Sequence, residues 1–451
     1  MPETNKLKNG LRTILVPFPG TEAVTVLVMI KVGSRYETPE LSGASHFIEH
    51  MMFKGTKRRP TTLDISKELD SVGASYNAFT SKGYTGYYAK VPAEHFSLAV
   101  DLLHDMIFHS KYAPAEMARE RKVIIEEINM YEDNPSMYIE DLLEMKLLAG
   151  SPLGWSIAGT RKTMTDMKRS AVIDFRDKYY QPSRLVVAAA GKLSGEAEKI
   201  IKAKFGQALT PAVAGLWRAR PNPSPRGRGE KGVGESEEGL NNFVPYKNTG
   251  CACCWPKVIT QFKDTQQVQL AMGFISPGLN DEKNDLVADI LGTILGGTMS
   301  SRLFIAIRER KGLAYSIKAG QGAYEDVGTF VIRAGLDKSR LPMAAKVIFS
   351  ELKKVKKSGV TPAELNLAKN NLIGSLKLSL EDSSSQANYY AHQELLLNKI
   401  ESPEALCRRI QKVSTKEIQA MANKILGEEN MTVAGIGPFK TDKDLLKEIG
   451  L

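Results

Sequence analysis

The chain has 451 residues, of which 42% are hydrophobic and 25% charged, and its formal net charge is +10. These are ordinary globular values, so a chain too polar to bury a core is excluded. The length exceeds what one hydrophobic core usually holds, and two or three domains are expected. The positive charge is spread along the chain rather than concentrated in blocks, which is only weak evidence for a nucleic-acid or membrane partner.

The N-terminal segment does not have the pattern of a secretory signal. Pro2, Glu3 and Asn5 lead into alternating residues instead of a basic start and an apolar run. The apolar residues 23–32 are too few to span a bilayer. The four cysteines fit a reducing compartment, and Cys251, Cys253 and Cys254 stand too close together to form a zinc site without distant partners. We therefore expect a soluble cytoplasmic protein that does not act on a membrane.

The first part of the chain alternates between strand and helix patterns. Period-2 apolar runs predict strands, and 3.6-residue periodicity with cap residues such as Thr61 predicts helices. The predicted strands are 11–18, 23–33, a pair within 75–91, and 184–191; the predicted helices are 42–54, 61–72, 94–109, 114–133, 136–149 and 195–205.

A change of composition separates two similar halves. Residues 210–256 are dense in Pro, Gly, Arg and Glu without periodicity, which is typical of a linker or insertion. The later part repeats the earlier order, with a strand at 268–274, helices at 284–297 and 300–312, a strand pair within 313–335 and a long helix at 341–357. We therefore predict an α+β fold of two homologous αβ domains, 1–209 and 257–451, each a mostly antiparallel sheet packed with helices.

The stretch SHFIEHMMFKGT, residues 45–56, concentrates two of the six histidines around a glutamate. His46 and His50 are four residues apart, so both imidazoles project from one face of the predicted helix, and Glu49 shares that face. Two histidines on adjacent turns are suited to zinc, which takes about three protein ligands in catalytic sites. Glu49 would then be the base that takes a proton from the attacking water, while a third ligand must come from elsewhere. The alternative is a half-exposed helix that carries polar residues.

A later helix carries a pair of glutamates that could complement this motif. Glu120 and Glu127, within ARERKVIIEEINMYEDNP, are two helical turns apart and lie on one stripe. A solvated face or a salt bridge is the ordinary explanation for such residues. Spacing within one helix does not show that this helix meets the other. In the second half, the segment that matches the histidine-bearing helix is ADILGTILGG, which has no metal-binding side chain.

At this point the sequence resembles the pitrilysin and mitochondrial-processing-peptidase family of zinc peptidases, the inverzincins, whose signature is His-x-x-Glu-His. The resemblance lies in HFIEHMMFKGT with ERKVIIEE, and in NGLRTILVP, NAFTSKGYTGYYAKV and GGTMSSRLFIAIRERKGLAYSIKAG. It covers nearly the whole chain except about 210–256.

The resemblance implies a role for each matching residue. His46, His50 and Glu127 would be the zinc ligands, with one Zn²⁺ per chain, and Glu49 the general base. Glu120 matches a second acidic residue that supports catalysis by hydrogen-bonding a ligand histidine or the water.

Four further residues match substrate-binding positions of the family. Arg308 and Tyr315 match a pair that donates hydrogen bonds to the substrate or the oxyanion. Asn77 and Ala78 match an edge strand that binds the substrate peptide as an added strand. From the strand pattern alone, Tyr315 would be a buried strand residue and Arg308 a surface one.

The resemblance also implies an assembly. Family members of this length form half of a clamshell chamber and pair two chains, so we expect a homodimer, with a heterodimer with a related subunit as the alternative. Two departures lie near the site, Ser45 where the family usually has alanine and Gly83 where it usually has glutamate. Neither changes a ligand.

The leading hypothesis is a zinc metalloendopeptidase that hydrolyses peptides or unfolded polypeptide segments. The first alternative is a non-catalytic scaffold or partner subunit of the same fold. Such proteins typically lose ligands or the base, whereas this chain has all five matching residues, His46, Glu49, His50, Glu120 and Glu127. The second is nucleic-acid binding by WRARPNPSPRGRGEK, where Trp217 could stack and basic residues could bind phosphates. No recognised nucleic-acid module surrounds that stretch, so no nucleic acid is expected as a partner.

Overall fold

The computed structural model describes residues 2–207, 243–247 and 257–451. We refer to residues 2–207 as the first half and to residues 257–451 as the second half. The strands of the first half are β1 (Glu3–Lys6), β2 (Arg12–Pro17), β3 (Ala23–Ile30), β4 (Ser75–Thr80), β5 (Thr85–Pro92) and β6 (Leu185–Gly191). Those of the second half are β7 (Lys257–Phe262), β8 (Gln267–Ser276), β9 (Ala314–Ala323), β10 (Gly328–Asp337) and β11 (Met431–Gly437).

Helices fill the intervals between these strands. In the first half they are α1 (Ala44–Met52), α2 (Thr62–Asp70), α3 (Phe96–His109), α4 (Pro114–Asp133), α5 (Pro135–Leu147), α6 (Arg161–Asp166), α7 (Arg169–Tyr179) and α8 (Ala197–Phe205). In the second half they are α9 (Glu282–Gly292), α10 (Leu341–Ser358), α11 (Pro362–Ser379), α12 (Ser383–Leu397), α13 (Pro403–Lys412), α14 (Thr415–Ile425) and α15 (Asp442–Ile449). Two further stretches, Thr293–Gly297 and Phe304–Glu309, are π-helical.

The two halves have sheets of the same topology. The first sheet has the strand order β1-β2-β6-β3-β5-β4, and the second has the order β7-β11-β8-β10-β9. In both, the first strand of the repeated unit runs parallel to the last one, and every other neighbour in that unit is antiparallel. Apart from the extra strand β1, the second sheet therefore repeats the first, and the predicted fold class is confirmed.

One helix of each half packs against the sheet of the other half. β3 points Val24, Val26 and Val28 toward the helices of its own half, while Leu27 and Met29 lie in a cluster with residues of α12. Reciprocally, α5 packs Ile139, Leu142 and Leu143 against β8 and β11. Because both faces of the central strands β3 and β8 are covered, apolar residues predominate on both faces of these strands.

A short segment from between the halves contacts both. The Arg35 side chain, 1% exposed, donates hydrogen bonds to the carbonyl of Val244 (3.0 Å) and to Oδ2 of Asp326 (2.7 Å). Its guanidinium lies 4.0 Å from the ring centroid of Phe243, and the N–H of Tyr246 donates to the same Asp326 oxygen. The predicted domain boundaries stay predictions. Most of the linker, including the three clustered cysteines and the basic stretch beginning at Trp217, lies outside the described residues.

Candidate metal centre

Helix α1 begins at a buried acidic cap. The carboxylate of Glu37, 4% exposed, accepts 2.7 Å hydrogen bonds from the backbone N–H groups of Gly43 and Ser45. Gly43 has a φ of 95°, and a Cβ there would lie 2.7 Å from the carbonyl oxygen of Ala158, so only glycine fits. Burial raises the pKa of Glu37 to about 7 against the lowering effect of the two backbone hydrogen bonds.

The apolar residues of α1 determine which way its polar residues face. Phe47, Ile48, Met51 and Met52 are fully buried in the core of the first half. The remaining face carries the three polar side chains of the motif, His46, Glu49 and His50. Helical spacing predicts that these three residues share a face, and the structure shows that this face turns toward α4.

His46, His50 and Glu127 meet at one point. Oε2 of Glu127 lies 3.7 Å from Nε2 of His46 and 3.6 Å from Nε2 of His50, and the imidazole centroids are 4.6 Å apart. Ligand atoms about 2.1 Å from one tetrahedral zinc ion lie about 3.4 Å apart, so the three side chains fit zinc. In the described part of the chain this is the one group of at least three His, Cys, Asp or Glu side chains with atoms so close together.

Burial favours the protonation state that a ligand histidine needs. The pKa of His46 falls to about 3, because burial and the neighbouring His50 both disfavour the imidazolium. A neutral imidazole offers a lone pair to a metal ion. The donor set of two imidazoles and one carboxylate is one that catalytic zinc sites use.

Glu120 lies behind the metal centre and links two side chains. Its Oε2 is 3.1 Å from Nδ1 of His50, and its Oε1 is 2.9 Å from Nζ of Lys54. Burial alone would raise the pKa of Glu120, but the hydrogen bonds to His50 and Lys54 outweigh it and lower the pKa. With Nδ1–H donated to Glu120, Nε2 of His50 is free to face Glu127.

Glu49 is next to the three candidate ligands and is held by a strand residue. The hydroxyl of Thr80, at the end of β4, donates a 2.6 Å hydrogen bond to Oε2 of Glu49. Burial raises the pKa of Glu49, while the bond from Thr80 and the proximity of His50 lower it. A half-buried carboxylate with one oxygen hydrogen-bonded and the other free is suited to accept a proton.

His46, Glu49 and Glu127 open onto a cavity of about 820 Å³. Its lining includes the apolar and aromatic residues Ile128, Tyr131, Tyr138, Met145, Trp155 and Ile157. Ala78 and Thr80 of β4 also line it. Among the described residues, all those that line the cavity belong to the first half.

β4 is an edge strand, as the sequence predicts for a peptide-binding strand. Among the described strands it pairs with β5 alone, with Asn77 opposite Tyr88 and Ala78 opposite Tyr87. The N–H of Ala78 donates to Oδ1 of Asn77, so a side chain rather than a neighbouring strand satisfies it. Such an edge can accept an added strand.

Arg308 and Tyr315 lie together but not at the metal centre. The guanidinium of Arg308 is 5.6 Å from the ring centroid of Tyr315, and neither residue lines the cavity. The expectation from pattern alone that Tyr315 is buried is wrong, because its strand β9 is a sheet edge and the residue is 80% exposed. Arg308 is exposed, as expected.

The structure adds residues that the sequence did not indicate. Thr80, Lys54 and Glu37 touch or orient the candidate site residues, and Trp155 lines the cavity. Thr80 and Lys54 lie in the quoted motifs, but their partners could not be read from spacing. At the departure Gly83, a Cβ would meet nothing within 4 Å, so the glycine leaves open space there.

Comparison with known proteins identifies the family. Residues 12–161 match the model described as Insulinase (Peptidase family M16), and residues 166–372 match the Peptidase M16 inactive domain. The chain is 34% identical over 423 residues to "Uncharacterized zinc protease YmxG" of Bacillus subtilis, covering 94% of this chain and 95% of that protein. The chain belongs to peptidase family M16. All three candidate ligands and Glu49 fall within the first matched range.

Solved structures of low sequence identity share the M16 fold. A protease from Helicobacter pylori matches with a TM-score of 0.84 at 23% identity, covering 97% of this chain and 99% of that one. A chain of complex III2 from Candida albicans matches with a TM-score of 0.77 at 15% identity, covering 99% of both chains. None of the helices in the described ranges has the length and apolar character needed to cross a membrane.

Proposed function

We propose that the chain is a zinc-dependent metalloendopeptidase that hydrolyses peptides or unfolded polypeptide segments inside an enclosed chamber. The observation that carries this proposal is the convergence of His46, His50 and Glu127, with Glu49 beside them at the rim of a cavity. The M16 relatives named as zinc proteases support the same chemistry.

His46, His50 and Glu127 would hold one zinc ion, which when bound supplies a Lewis acid that polarises a peptide carbonyl and activates water. Glu49 takes the proton of the attacking water and passes it to the leaving amine. Thr80 occupies Oε2 of Glu49, which leaves Oε1 for that proton. Glu120 accepts the Nδ1 proton of His50 and fixes the orientation of the ring.

The substrate would lie as an added strand along β4. Backbone groups of Asn77 and Ala78 bind an extended peptide without reading its side chains, which suits unfolded substrates of varied sequence. The aromatic wall of Tyr131, Tyr138 and Trp155 would contact the substrate side chains that point into the cavity.

A second copy of the chain would complete the chamber as a homodimer. All described residues that line the cavity belong to the first half, and Arg308 and Tyr315 are exposed side chains of the second half. A two-fold arrangement that brings this pair to the metal centre of the partner would place hydrogen-bond donors near the developing oxyanion.

The alternative is a non-catalytic scaffold of the same fold, which the likeness to a chain of complex III2 keeps open. Catalysis is favoured because all three candidate ligands are present and the carboxylate of Glu49 is oriented by the hydrogen bond from Thr80. The test is to incubate zinc-quantified protein with unfolded peptides and with folded proteins, before and after chelation. We expect internal cuts in the peptides only, lost on chelation and restored by zinc. Absence of cleavage with one zinc bound per chain would contradict the proposal and favour the scaffold.

A further inference from the structure

Lys54 lies just beyond the last turn of α1 in a fixed position. The N–H of Phe53 donates to the carbonyl of His50 (3.3 Å), and that of Lys54 to the carbonyl of Met51 (3.1 Å). Gly55 follows with a φ of 103°, and a Cβ there would lie 2.3 Å from the carbonyl oxygen of Pro60, so the turn requires glycine. The backbone therefore directs the side chain of Lys54 from the end of α1 toward α4.

The ammonium group of Lys54 meets a carboxylate that solvent hardly reaches. The Glu120 side chain is 5% exposed, and its Oε1 lies 2.9 Å from Nζ of Lys54, whose side chain is 22% exposed. The other oxygen, Oε2, lies 3.1 Å from Nδ1 of His50. Both oxygens of a buried carboxylate are thus engaged, one by a cation and one by a candidate metal ligand.

We propose that Lys54 is a positioning residue of the metal centre. By binding Oε1, it holds the carboxylate of Glu120 in the orientation in which Oε2 accepts the Nδ1 proton of His50, and so keeps Nε2 of His50 directed at Glu127. The inference rests on the proposed function, since it concerns the same zinc site. Without Lys54, Oε1 of Glu120 is left buried and without a partner, which costs free energy. We expect the carboxylate to rotate away from His50 to relieve this cost.

A lysine after a helix also stabilises it through the helix dipole, and this is the simpler role. Lys57 distinguishes the two roles, because it lies three residues further along the same loop, is exposed, and has no ion pair among the described residues. A general effect of positive charge near α1 would act at both positions. A positioning effect would act only at Lys54.

The test measures zinc affinity by competition with a chelator in the full-length wild type and in Lys54→Met, Lys54→Arg and Lys57→Met. We expect Lys54→Met to bind zinc about tenfold more weakly, at the lower end of the range for groups that orient metal ligands. Lys54→Arg retains the cation and should recover most of the affinity, and Lys57→Met should match the wild type. Melting of the zinc-free proteins identifies any variant that fails to fold.

A second readout does not depend on bound metal. The ¹⁵N shifts of the His50 ring in zinc-free, histidine-labelled protein report its tautomer, which should be Nδ1–H in wild type and in Lys54→Arg, and mixed in Lys54→Met. Wild-type zinc affinity and an unchanged tautomer in Lys54→Met would overturn the inference while leaving the proposed function intact. A wild-type protein that binds no zinc would contradict the proposed function and the inference together.

Discussion

The hydroxyl of Thr80 donates a 2.6 Å hydrogen bond to Oε2 of Glu49, which joins the free edge strand β4 to the helix that carries the candidate ligands. Thr80 is two residues from Ala78, where an added peptide strand would pair. The position of the candidate base is therefore tied to the strand on which the substrate would lie. This relationship yields a direct kinetic test.

Thr80→Val should lower kcat about tenfold and leave KM and zinc content unchanged, because it removes the orienting bond but not the base, which as a whole is worth a hundredfold or more. Steady-state cleavage of a fluorogenic peptide measures both constants. Thr165→Val, the same substitution on an exposed helix, is the control. Wild-type kcat in Thr80→Val would show that the bond does not orient Glu49 during catalysis.

Glu37 should make stability depend on pH near neutrality. Its folded-state pKa of about 7 lies above the ordinary 4.5, so between these values the folded state holds a proton that the unfolded state has lost. The contribution of Glu37 to the free energy of unfolding, about 3 kcal/mol, is therefore fully present below pH 4.5 and is lost as pH rises through 7. The glutamine of Glu37→Gln does not titrate, so the variant should not lose this stability as pH rises.

The measurement is denaturant unfolding of zinc-free wild type and Glu37→Gln at several pH values from 4.5 to 8. The wild type should lose stability relative to the variant by about 3 kcal/mol over this interval, most of it before pH 7.5. A stability difference that stays constant, or that moves in the opposite direction, would mean that Glu37 is ionised throughout.

Reciprocal helix packing predicts that the halves unfold together. Leu395 of α12 and Leu143 of α5 are fully buried, and each lies against the sheet of the other half. Leu395→Ala and Leu143→Ala should each lower the free energy of unfolding by about 2–5 kcal/mol. Leu378→Ala, at a position that is 76% exposed, should change it little.

Hydrogen exchange locates the effect of each substitution. In Leu395→Ala, the amides of β3 and β6 should lose protection although they belong to the first half. Loss of protection confined to residues 257–451 would show that α12 does not stabilise the first sheet.

Subunit mixing tests whether the metal centre uses Arg308 of a second copy. Glu49→Gln and Arg308→Met should each be inactive alone. If Arg308 acts in trans, co-expression should restore up to about a quarter of wild-type activity, because half of random dimers are mixed and each mixed dimer has one intact site. With both single variants inactive, no gain on co-expression would place Arg308 in the same chain as the zinc it serves. An active Arg308→Met would place Arg308 outside catalysis.

Several elements were predicted from the sequence with nearly the observed bounds, because their signals are local; no element after residue 357 was predicted. The expected helix 114–133 is Pro114–Asp133, with proline at its start, and the expected helix 61–72 begins after the cap Thr61. The π-helical geometry of Thr293–Gly297 was not expected, since the apolar pattern there does not distinguish it from an α-helix.

Relations between distant elements were not predictable from spacing. Helical periodicity indicates that His46 and His50 share a face, but the approach of α4 is a tertiary contact, and Glu127 became a candidate ligand only through family resemblance. The packing of α12 on the sheet of the other half is likewise a contact between distant elements, which the sequence of the helix does not indicate. The strand pattern alone wrongly suggests that Tyr315 is buried, because alternation does not reveal that β9 is an edge. The substrate-binding role of Tyr315 stays a prediction.

The most direct test of a zinc peptidase centred on Glu49 compares wild type with Glu49→Gln on a mixed library of unfolded peptides, with cleavage read by mass spectrometry and zinc measured in both proteins. Glutamine retains the shape of the side chain but cannot accept the proton of water. We predict internal cleavage by wild type, almost none by the variant, and one zinc per chain in each. Equal cleavage by both proteins would contradict the assignment of Glu49 as the base and with it the proposed mechanism.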